Sequence, residues 1–309
     1  MRHIAATFHF FCLLYNRHMH TVLLFYKYVT ISDPDALVLW VRERAQKFRL
    51  LGRCLIAAEG INGTFEGLTE NAEAFAAELL QLDLFADMNI KRSRGTGAAF
   101  PKLAVRKRDE IVGTRFSKKD ADPEHKAAPH IKPEELKALY EEQADFVVVD
   151  MRNDYEFASG HFKGSIDPGL RASRDLPEVL PQLDPYKNKK VVTVCTGGVR
   201  CEKMAAYLIS NGFSDVSQLE NGIHAYMEKY PGQDFLGTLY TFDQRVVMDF
   251  GGPRQKIGKC YLCQTETERY VNCANYVCHL HFLVCEQCVG TEGRTYCSET
   301  CKISDKITT

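Results

Sequence analysis

VVTVCTGGVRCEKMAAYLI, residues 191–209, predicts a buried strand, a short glycine-rich loop and an amphipathic helix in succession. A continuous apolar run of this kind is typical of a strand inside a parallel sheet. A similar run covers residues 146–149, and a helical pattern follows each strand or its loop. This alternation predicts an α/β domain with a parallel sheet. Cys195 then stands at the carboxyl end of its strand, where open α/β sheets place their active sites.

The loop that begins at Cys195 predicts a site for an anionic sulfur. Gly197 and Gly198 let the backbone turn so that successive N–H groups point inward, and the helix N-terminus behind them favours negative charge. The same field lowers the pKa of a thiol, so we expect Cys195 to be largely thiolate near neutral pH. Arg200 adds a fixed positive charge at the far end. The residues whose backbone forms the loop are Thr196, Gly197, Gly198 and Val199.

Loop length separates two cysteine chemistries. Four residues lie between Cys195 and Arg200, one fewer than in the phosphate cradle of cysteine-dependent phosphatases. The tighter ring suits a sulfane sulfur carried on Cys195. Cys201 follows on the first turn of the helix, where it could resolve a persulfide or sulfenate on Cys195. The alternative for Cys201 is a small, partly buried helix residue with no redox role.

Most of the cysteines cluster at the C-terminal end. Of twelve in the chain, eight lie from residue 260 onward, in four closely spaced pairs. A long chain with periodic helices is unlike a secreted disulfide scaffold, so the cluster indicates metal binding. Eight thiolates are enough for two tetrahedral zinc sites. The spacing allows either a cross-braced arrangement, in which the first pair shares an ion with the third, or a sequential one, in which neighbouring pairs share an ion. Iron–sulfur clusters and metal-free thiols remain alternatives. The predicted ligands are Cys260, Cys263, Cys273, Cys278, Cys285, Cys288, Cys297 and Cys301.

The N-terminal part predicts a second type of α/β unit. Asp33 and Pro34 mark a helix start, as N-cap and first helical residue. The order βαββαβ predicts a ferredoxin-like or acylphosphatase-like sandwich, which makes the chain α/β and α+β in class. The predicted strands are residues 21–31, 53–58, 61–66, 88–93 and 103–108, and the second helix is 69–82.

The domain limits follow from these patterns. We expect 1–20 to be an extension or a start placed too early, with Met19 as initiator, and 21–117 to be the sandwich domain. Residues 118–128 are polar and aperiodic, which predicts a linker. The parallel α/β domain then covers 129–232, and a small cysteine-rich, zinc-binding domain covers 233–309.

Charge is distributed unevenly. The formal net charge is −1, yet residues 88–119 hold ten lysines and arginines against two acids. Such concentration is the footprint of a nucleic-acid surface, although charge runs are more often only solvated faces. The residues predicted to contact RNA are Lys91, Arg92, Arg94, Arg106 and Arg108.

The sequence contains no motif for a membrane protein or for a flavin- or nicotinamide-dependent enzyme. We find no apolar run of roughly 18 residues and expect no membrane span. The rest of the sequence is consistent with a cytoplasmic location. We expect no DNA partner. There is no flavin or nicotinamide fingerprint either. Whether the protein forms oligomers is not readable from these patterns.

Three segments resemble the signatures of rhodanese domains. The first is Asp150-Met151-Arg152-Asn153, followed by Glu156 and by the Gly-His turn at residues 160–166. The second is CTGGVRCEK, and the third is the closing turn at 219–223. In that family the Asp–Arg segment and the Gly-His turn brace the active loop, which implies this role for Asp150 and Arg152. We assign His161 no catalytic role.

A longer set of matches is similar to the bacterial tRNA uridine-34 hydroxylases, a family with a central rhodanese domain. It comprises residues 25–28, 59–64, 195–213 and 272–275, and extends over nearly all of the chain after Met19. The resemblance implies oxygen-dependent formation of 5-hydroxyuridine at the tRNA wobble position, with molecular oxygen as co-substrate. One departure is Asn221, where Gly-Gly is usual, but Asn tolerates positive φ.

Two other functions compete with tRNA hydroxylation. One is a thiosulfate or persulfide sulfurtransferase without an RNA substrate. The other is a zinc-bearing RNA- or protein-binding module whose rhodanese loop is inert. The basic stretch and the additional domains favour an RNA enzyme over the first, and the retained Cys195 argues against the second.

Overall fold

The computed structural model describes residues 19–117, 119–121, 127–248, 250–253, 255–290 and 293–308. These residues form two compact units, one ending at residue 115 and including residues 243–245, and the other comprising 116–242 and 246 onward. The predicted extension lies outside the described residues up to residue 18. Most of the predicted linker, at 118 and 122–126, also lies outside them.

The first unit is a five-stranded sheet with two helices. Strand order is β4-β1-β3-β2-β5, in which only the β2–β5 pair is parallel. Asp33 caps the first helix as predicted, accepting a hydrogen bond from the Ala36 N–H at 2.9 Å. The elements are β1 (His20–Tyr28), α1 (Pro34–Lys47), β2 (Leu51–Ala57), β3 (Gly60–Leu68), α2 (Thr69–Leu80), β4 (Ile90–Arg94) and β5 (Leu103–Lys107), with a 3-10 turn at Asp83–Phe85.

Alternation along the strands places the core of this unit on the helix side. Leu23 and Phe25 of β1 and Phe65 of β3 point there and are fully buried with Phe75 of α2. The Phe65 and Phe75 rings meet edge to face at 5.2 Å. The predicted ferredoxin-like or acylphosphatase-like sandwich is therefore confirmed.

The second unit is built on a four-stranded parallel sheet, ordered β6-β10-β9-β7. Its central strand β9 has Val191 in one apolar cluster and Val192 in another, so both faces are covered. This explains the continuous apolar run in the sequence. The elements are β6 (His130–Ile131), α3 (Pro133–Glu141), β7 (Phe146–Asp150), α4 (Asp154–Ser159), β8 (Gly160–Phe162), α5 (Leu176–Val179), β9 (Lys190–Val194), α6 (Val199–Ser210), β10 (Asp215–Leu219) and α7 (Gly222–Lys229), with 3-10 turns at Ser173–Asp175 and Leu180–Tyr186.

The remainder of this unit has short strand pairs and little helix. Residues 239–240 and 247–248 form a short antiparallel strand pair. Buried cysteines form much of the core of the C-terminal segment. The elements are β11 (Phe235–Gly237), β12 (Leu239–Tyr240), β13 (Val247–Met248), β14 (Tyr270–Asn272), β15 (His281–Leu283), a 3-10 turn at Glu286–Cys288 and α8 (Glu299–Thr308). Within the part of the chain described, no helix has the length and apolarity needed to cross a bilayer.

Candidate active site and metal centres

Cys195 lies directly after β9, at the carboxyl end of the parallel sheet, and is fully buried. The Gly198 N–H donates to its Sγ across 3.2 Å. Gly198 has φ of +101°, a left-handed conformation that favours glycine, and α6 begins at the next residue. The predicted arrangement of strand, turning loop and helix N-terminus around a thiol is thus present.

The electrostatics of the loop favour the thiolate. Burial of Cys195 opposes ionisation, but the Cys201 thiol, the charge of Arg200 and the backbone N–H groups of both residues outweigh it. The result is a Cys195 pKa lowered to about 6. Cys201 is also fully buried, and burial together with its hydrogen bond to Cys195 raises its pKa. The two side chains therefore face each other, with Cys195 as the ionised member.

Arg200 is held by Glu156, a residue of the first rhodanese signature to which the sequence analysis gave no role in the site. Its Nη1 and Nη2 donate to the two oxygens of Glu156 at 2.6 and 2.9 Å, and Nη2 also donates to the Thr196 hydroxyl at 3.1 Å. Glu156 is fully buried at the start of α4. The sequence pattern that could have pointed to Glu156 is Asn153-x-x-Glu156, which forms a helix capping box. In it, the Asn153 N–H donates to the Glu156 carboxylate at 3.0 Å.

Asp150 and Arg152 form a buried ion pair beside the loop rather than in it. The Arg152 Nη2 lies 2.7 Å from Asp150 Oδ2 and also donates to the Gly160 carbonyl at 2.5 Å. Between them, Met151 N–H donates to the Val194 carbonyl at 2.8 Å. The pair therefore holds the strand end that leads into the loop, whereas direct support of Arg200 comes from Glu156.

The turn before α7 closes the other side of the loop. Ile223 N–H donates to the Cys195 carbonyl at 2.9 Å and His224 N–H to the Thr196 carbonyl at 3.0 Å. Asn221 adopts φ of +61°, so the departure from Gly-Gly is accommodated as predicted. At Gly222 a Cβ would lie 2.5 Å from the Cys195 carbonyl oxygen, so only glycine permits this approach.

The eight C-terminal cysteines gather into two groups of four. Cys260 and Cys263 meet Cys285 and Cys288, and the second and fourth pairs form the other group, with the sulfur atoms of each group within 4.8 Å of one another. The first pair joins the third, so the arrangement is cross-braced. With Zn–S bonds of about 2.3 Å, thiolates of a tetrahedral site lie roughly 3.8 Å apart. The Cys263–Cys285 sulfur distance of 3.5 Å fits such a site.

The predicted RNA-contacting residues do not form one patch. β4 and β5 are opposite edges of the first unit's sheet, roughly 19 Å apart at about 4.8 Å per strand. Arg92 pairs with Glu73 through two hydrogen bonds of 2.7 and 2.8 Å. Lys91 is buried with its Nζ over the Tyr26 ring. The exposed members are Arg92 and Arg94 on one edge and Arg106 and Arg108 at the other.

A cysteine loop on a parallel sheet, with a separate acylphosphatase-like sheet before it, defines a rhodanese-type protein with additional domains. Three family models match in this order. They are the UPF0176 acylphosphatase like domain at 20–111, the Rhodanese-like domain at 132–229 and the Rhodanase C-terminal model at 236–302.

Two curated relatives extend the likeness to nearly the full chain. A tRNA uridine(34) hydroxylase of Cytophaga hutchinsonii is 40% identical over 92% of this chain and 90% of its own length. One of Staphylococcus carnosus is 39% identical over 87% and 85%. A solved rhodanese-like domain protein from Staphylococcus aureus is 34% identical over 32% of this chain and 90% of its own, with a TM-score of 0.28. The chain belongs to the tRNA uridine(34) hydroxylase family.

Proposed function

We propose that this protein hydroxylates uridine 34 of tRNA to 5-hydroxyuridine and that Cys195 is its catalytic nucleophile. The observation that carries the proposal is 40% identity, over 92% of the chain, to a protein named for this reaction. The lowered pKa of Cys195, about 6, supports its part in the reaction, because only the thiolate is nucleophilic. The proposed enzyme is an oxidoreductase, acts in the cytoplasm and takes molecular oxygen as co-substrate.

Cys201 is the proposed redox partner of Cys195. Its thiol is hydrogen-bonded to the Cys195 sulfur. If Cys195 carries a persulfide, attack by the Cys201 sulfur on the Cys195 sulfur forms a disulfide, and the outer sulfur leaves with the Cys201 proton as hydrogen sulfide. If Cys195 is a sulfenic acid, the same attack forms the disulfide and the hydroxyl leaves with that proton as water. In either case, Arg200 remains beside the reacting sulfur because the Glu156 carboxylate accepts two hydrogen bonds from its guanidinium.

Zinc is the proposed metal of both four-cysteine groups, with about two ions per chain. Four thiolates and a tetrahedral spacing of sulfurs suit a structural zinc site, which leaves no coordination position for substrate. The metal would therefore hold the C-terminal segment together rather than act on uracil. Elemental analysis of reduced, purified protein should find two zinc ions, and finding no metal would contradict this part of the proposal.

Nucleoside analysis of tRNA from a deletion strain of the source organism tests the function. We expect 5-hydroxyuridine and nucleosides derived from it to be lost on deletion and restored by the wild-type gene. Cys195→Ser should fail to restore them while the protein accumulates normally, since serine is similar in size and the loop is held by backbone hydrogen bonds. Unchanged wobble nucleosides in the deletion strain would overturn the proposal.

A sulfurtransferase is the second candidate, favoured by the compact loop around an ionised Cys195. If this function is correct, the purified protein should transfer sulfur from thiosulfate to cyanide at a rate high enough to account for turnover in the cell. Deletion of the gene should then leave the tRNA nucleosides unchanged. The two functions are therefore separated by assaying the same deletion strain and the same purified protein.

A further inference from the structure

A partly exposed aromatic ring stands at the mouth of the active loop. Phe242 is 38% exposed, and the guanidinium carbon of Arg200 lies over its ring at 5.5 Å from the centroid. Cys195 itself is fully buried, while Thr196 and Val199 are the partly exposed residues of the loop. Phe242 is therefore a partly exposed ring in contact with Arg200, the charged residue of the loop.

The ring is supported from behind by other aromatic side chains. Phe242 packs edge to face on Tyr240 at 5.3 Å, and Tyr240 in turn contacts Tyr155 at 5.3 Å and Tyr270 at 5.1 Å. The Tyr240 hydroxyl is hydrogen-bonded to His281 at 3.2 Å. A ring held in this way keeps its orientation while part of its surface stays in water, which reduces the ordering cost of binding a planar ligand.

We propose that Phe242 is a positioning residue that stacks on a pyrimidine base of single-stranded RNA and presents it to Cys195. The inference rests on the proposed tRNA function and adds the subsite that receives the base. Unstacked bases in RNA loops are recognised by stacking on aromatic rings, and Phe242 is a partly exposed aromatic ring whose orientation is fixed by Tyr240 and by the Arg200 guanidinium over it. A neutral pyrimidine suits the site, because Glu156 already compensates the charge of Arg200.

Binding of an anticodon stem-loop RNA with uridine at position 34 tests this subsite. Phe242→Leu should raise the Kd for this RNA by roughly 5- to 150-fold, the loss expected for one stacked base. Phe242→Tyr should keep the affinity near that of wild type. The same stem-loop with an abasic position 34 should bind wild type and Phe242→Leu equally weakly, since neither complex can then stack that base.

Two controls separate stacking from damage to the fold. Tyr276→Leu removes an aromatic side chain that is 65% exposed at a cysteine turn and should leave affinity unchanged. Phe242→Leu should also retain the wild-type pH profile of Cys195 alkylation, because Glu156 still holds Arg200. If Phe242→Leu discriminates uridine from the abasic RNA as well as wild type does, the subsite is refuted and the tRNA function stands. If wild type binds neither stem-loop nor tRNA, both proposals fall.

Discussion

At the scale of single residues, the ionised state of Cys195 depends on neighbours that outweigh its burial. A thiolate removed from water is disfavoured unless donors and positive charge surround it. Here the Gly198 N–H, the Cys201 thiol and Arg200 supply them. Since Glu156 orients Arg200 from a fully buried position, the carboxylate affects the thiolate indirectly, by fixing where the positive charge lies.

Removing the positive charge of Arg200 should raise the pKa of Cys195. In wild type, the rate of alkylation by iodoacetamide should increase with pH through a midpoint near 6, because the thiolate fraction rises through the pKa. Arg200→Gln should move the midpoint upward. Glu156→Gln with Arg200→Gln should move it less while avoiding an uncompensated buried carboxylate. Cys195→Ser gives the background from other thiols, and an unchanged midpoint in both variants would show that Arg200 does not tune the thiol.

At the scale of elements, short-range patterns were readable and long-range partners were not. The Cys195 loop, the N-cap at Asp33 and the pairing of nearby cysteines are local features of the sequence. Glu156 meets Arg200 across 44 positions, so no spacing pattern could pair the two residues. For the same reason, cysteine spacing indicated a metal-binding cluster but left the cross-braced and sequential pairings open. Tertiary packing decides between them.

Gly222, at the start of α7, has a matched control glycine in Gly164, which follows β8. Gly222 and Gly164 both have φ of +69°, but a Cβ at Gly164 would meet nothing within 4 Å. Gly164→Ala should therefore cost only the left-handed penalty, about 1–2 kcal/mol. Gly222→Ala should lower the free energy of unfolding further and shift the alkylation midpoint of Cys195, because its Cβ would push against the Cys195 carbonyl. If urea denaturation shows that both variants lose the same free energy of unfolding, the structure relieves the contact between a Cβ at residue 222 and the Cys195 carbonyl at little cost.

The two basic edge strands are expected to contribute unequally to RNA binding. Arg92 is paired with Glu73, whereas Arg106 and Arg108 are exposed at the opposite edge. We expect Arg106→Glu with Arg108→Glu to weaken tRNA binding more than the same changes at Arg92 and Arg94. Each lost phosphate contact should reduce the slope of log K against log salt by roughly 0.7–0.9. Unchanged affinity and slope in both double variants would identify the basic residues as a solvated surface.

At the scale of the whole molecule, the cysteine-rich segment is tied to the active loop within the second unit. The Tyr270 hydroxyl of β14 donates to the Tyr155 carbonyl at 2.5 Å, and Tyr155 precedes Glu156, which holds Arg200. His281 of β15 stacks on Tyr270 with ring centroids 5.0 Å apart. A short chain of contacts therefore runs from the strands between the cysteine groups to the side chain beside Cys195. The order of family models along the sequence does not reveal this connection.

Removal of the proposed zinc should consequently disturb the active loop as well as the C-terminal segment. Metal-binding free energy is folding free energy in small cysteine sites, so chelation of reduced protein should unfold the segment and release Tyr270 from Tyr155. We expect the alkylation midpoint of Cys195 to change in step with zinc loss and to recover on zinc addition. Tyr270→Phe removes the single hydroxyl and should reproduce a smaller part of the shift with both metals bound. If the midpoint stays constant while zinc leaves, the loop is independent of the metal centres, and the Tyr270–Tyr155 contact serves packing alone.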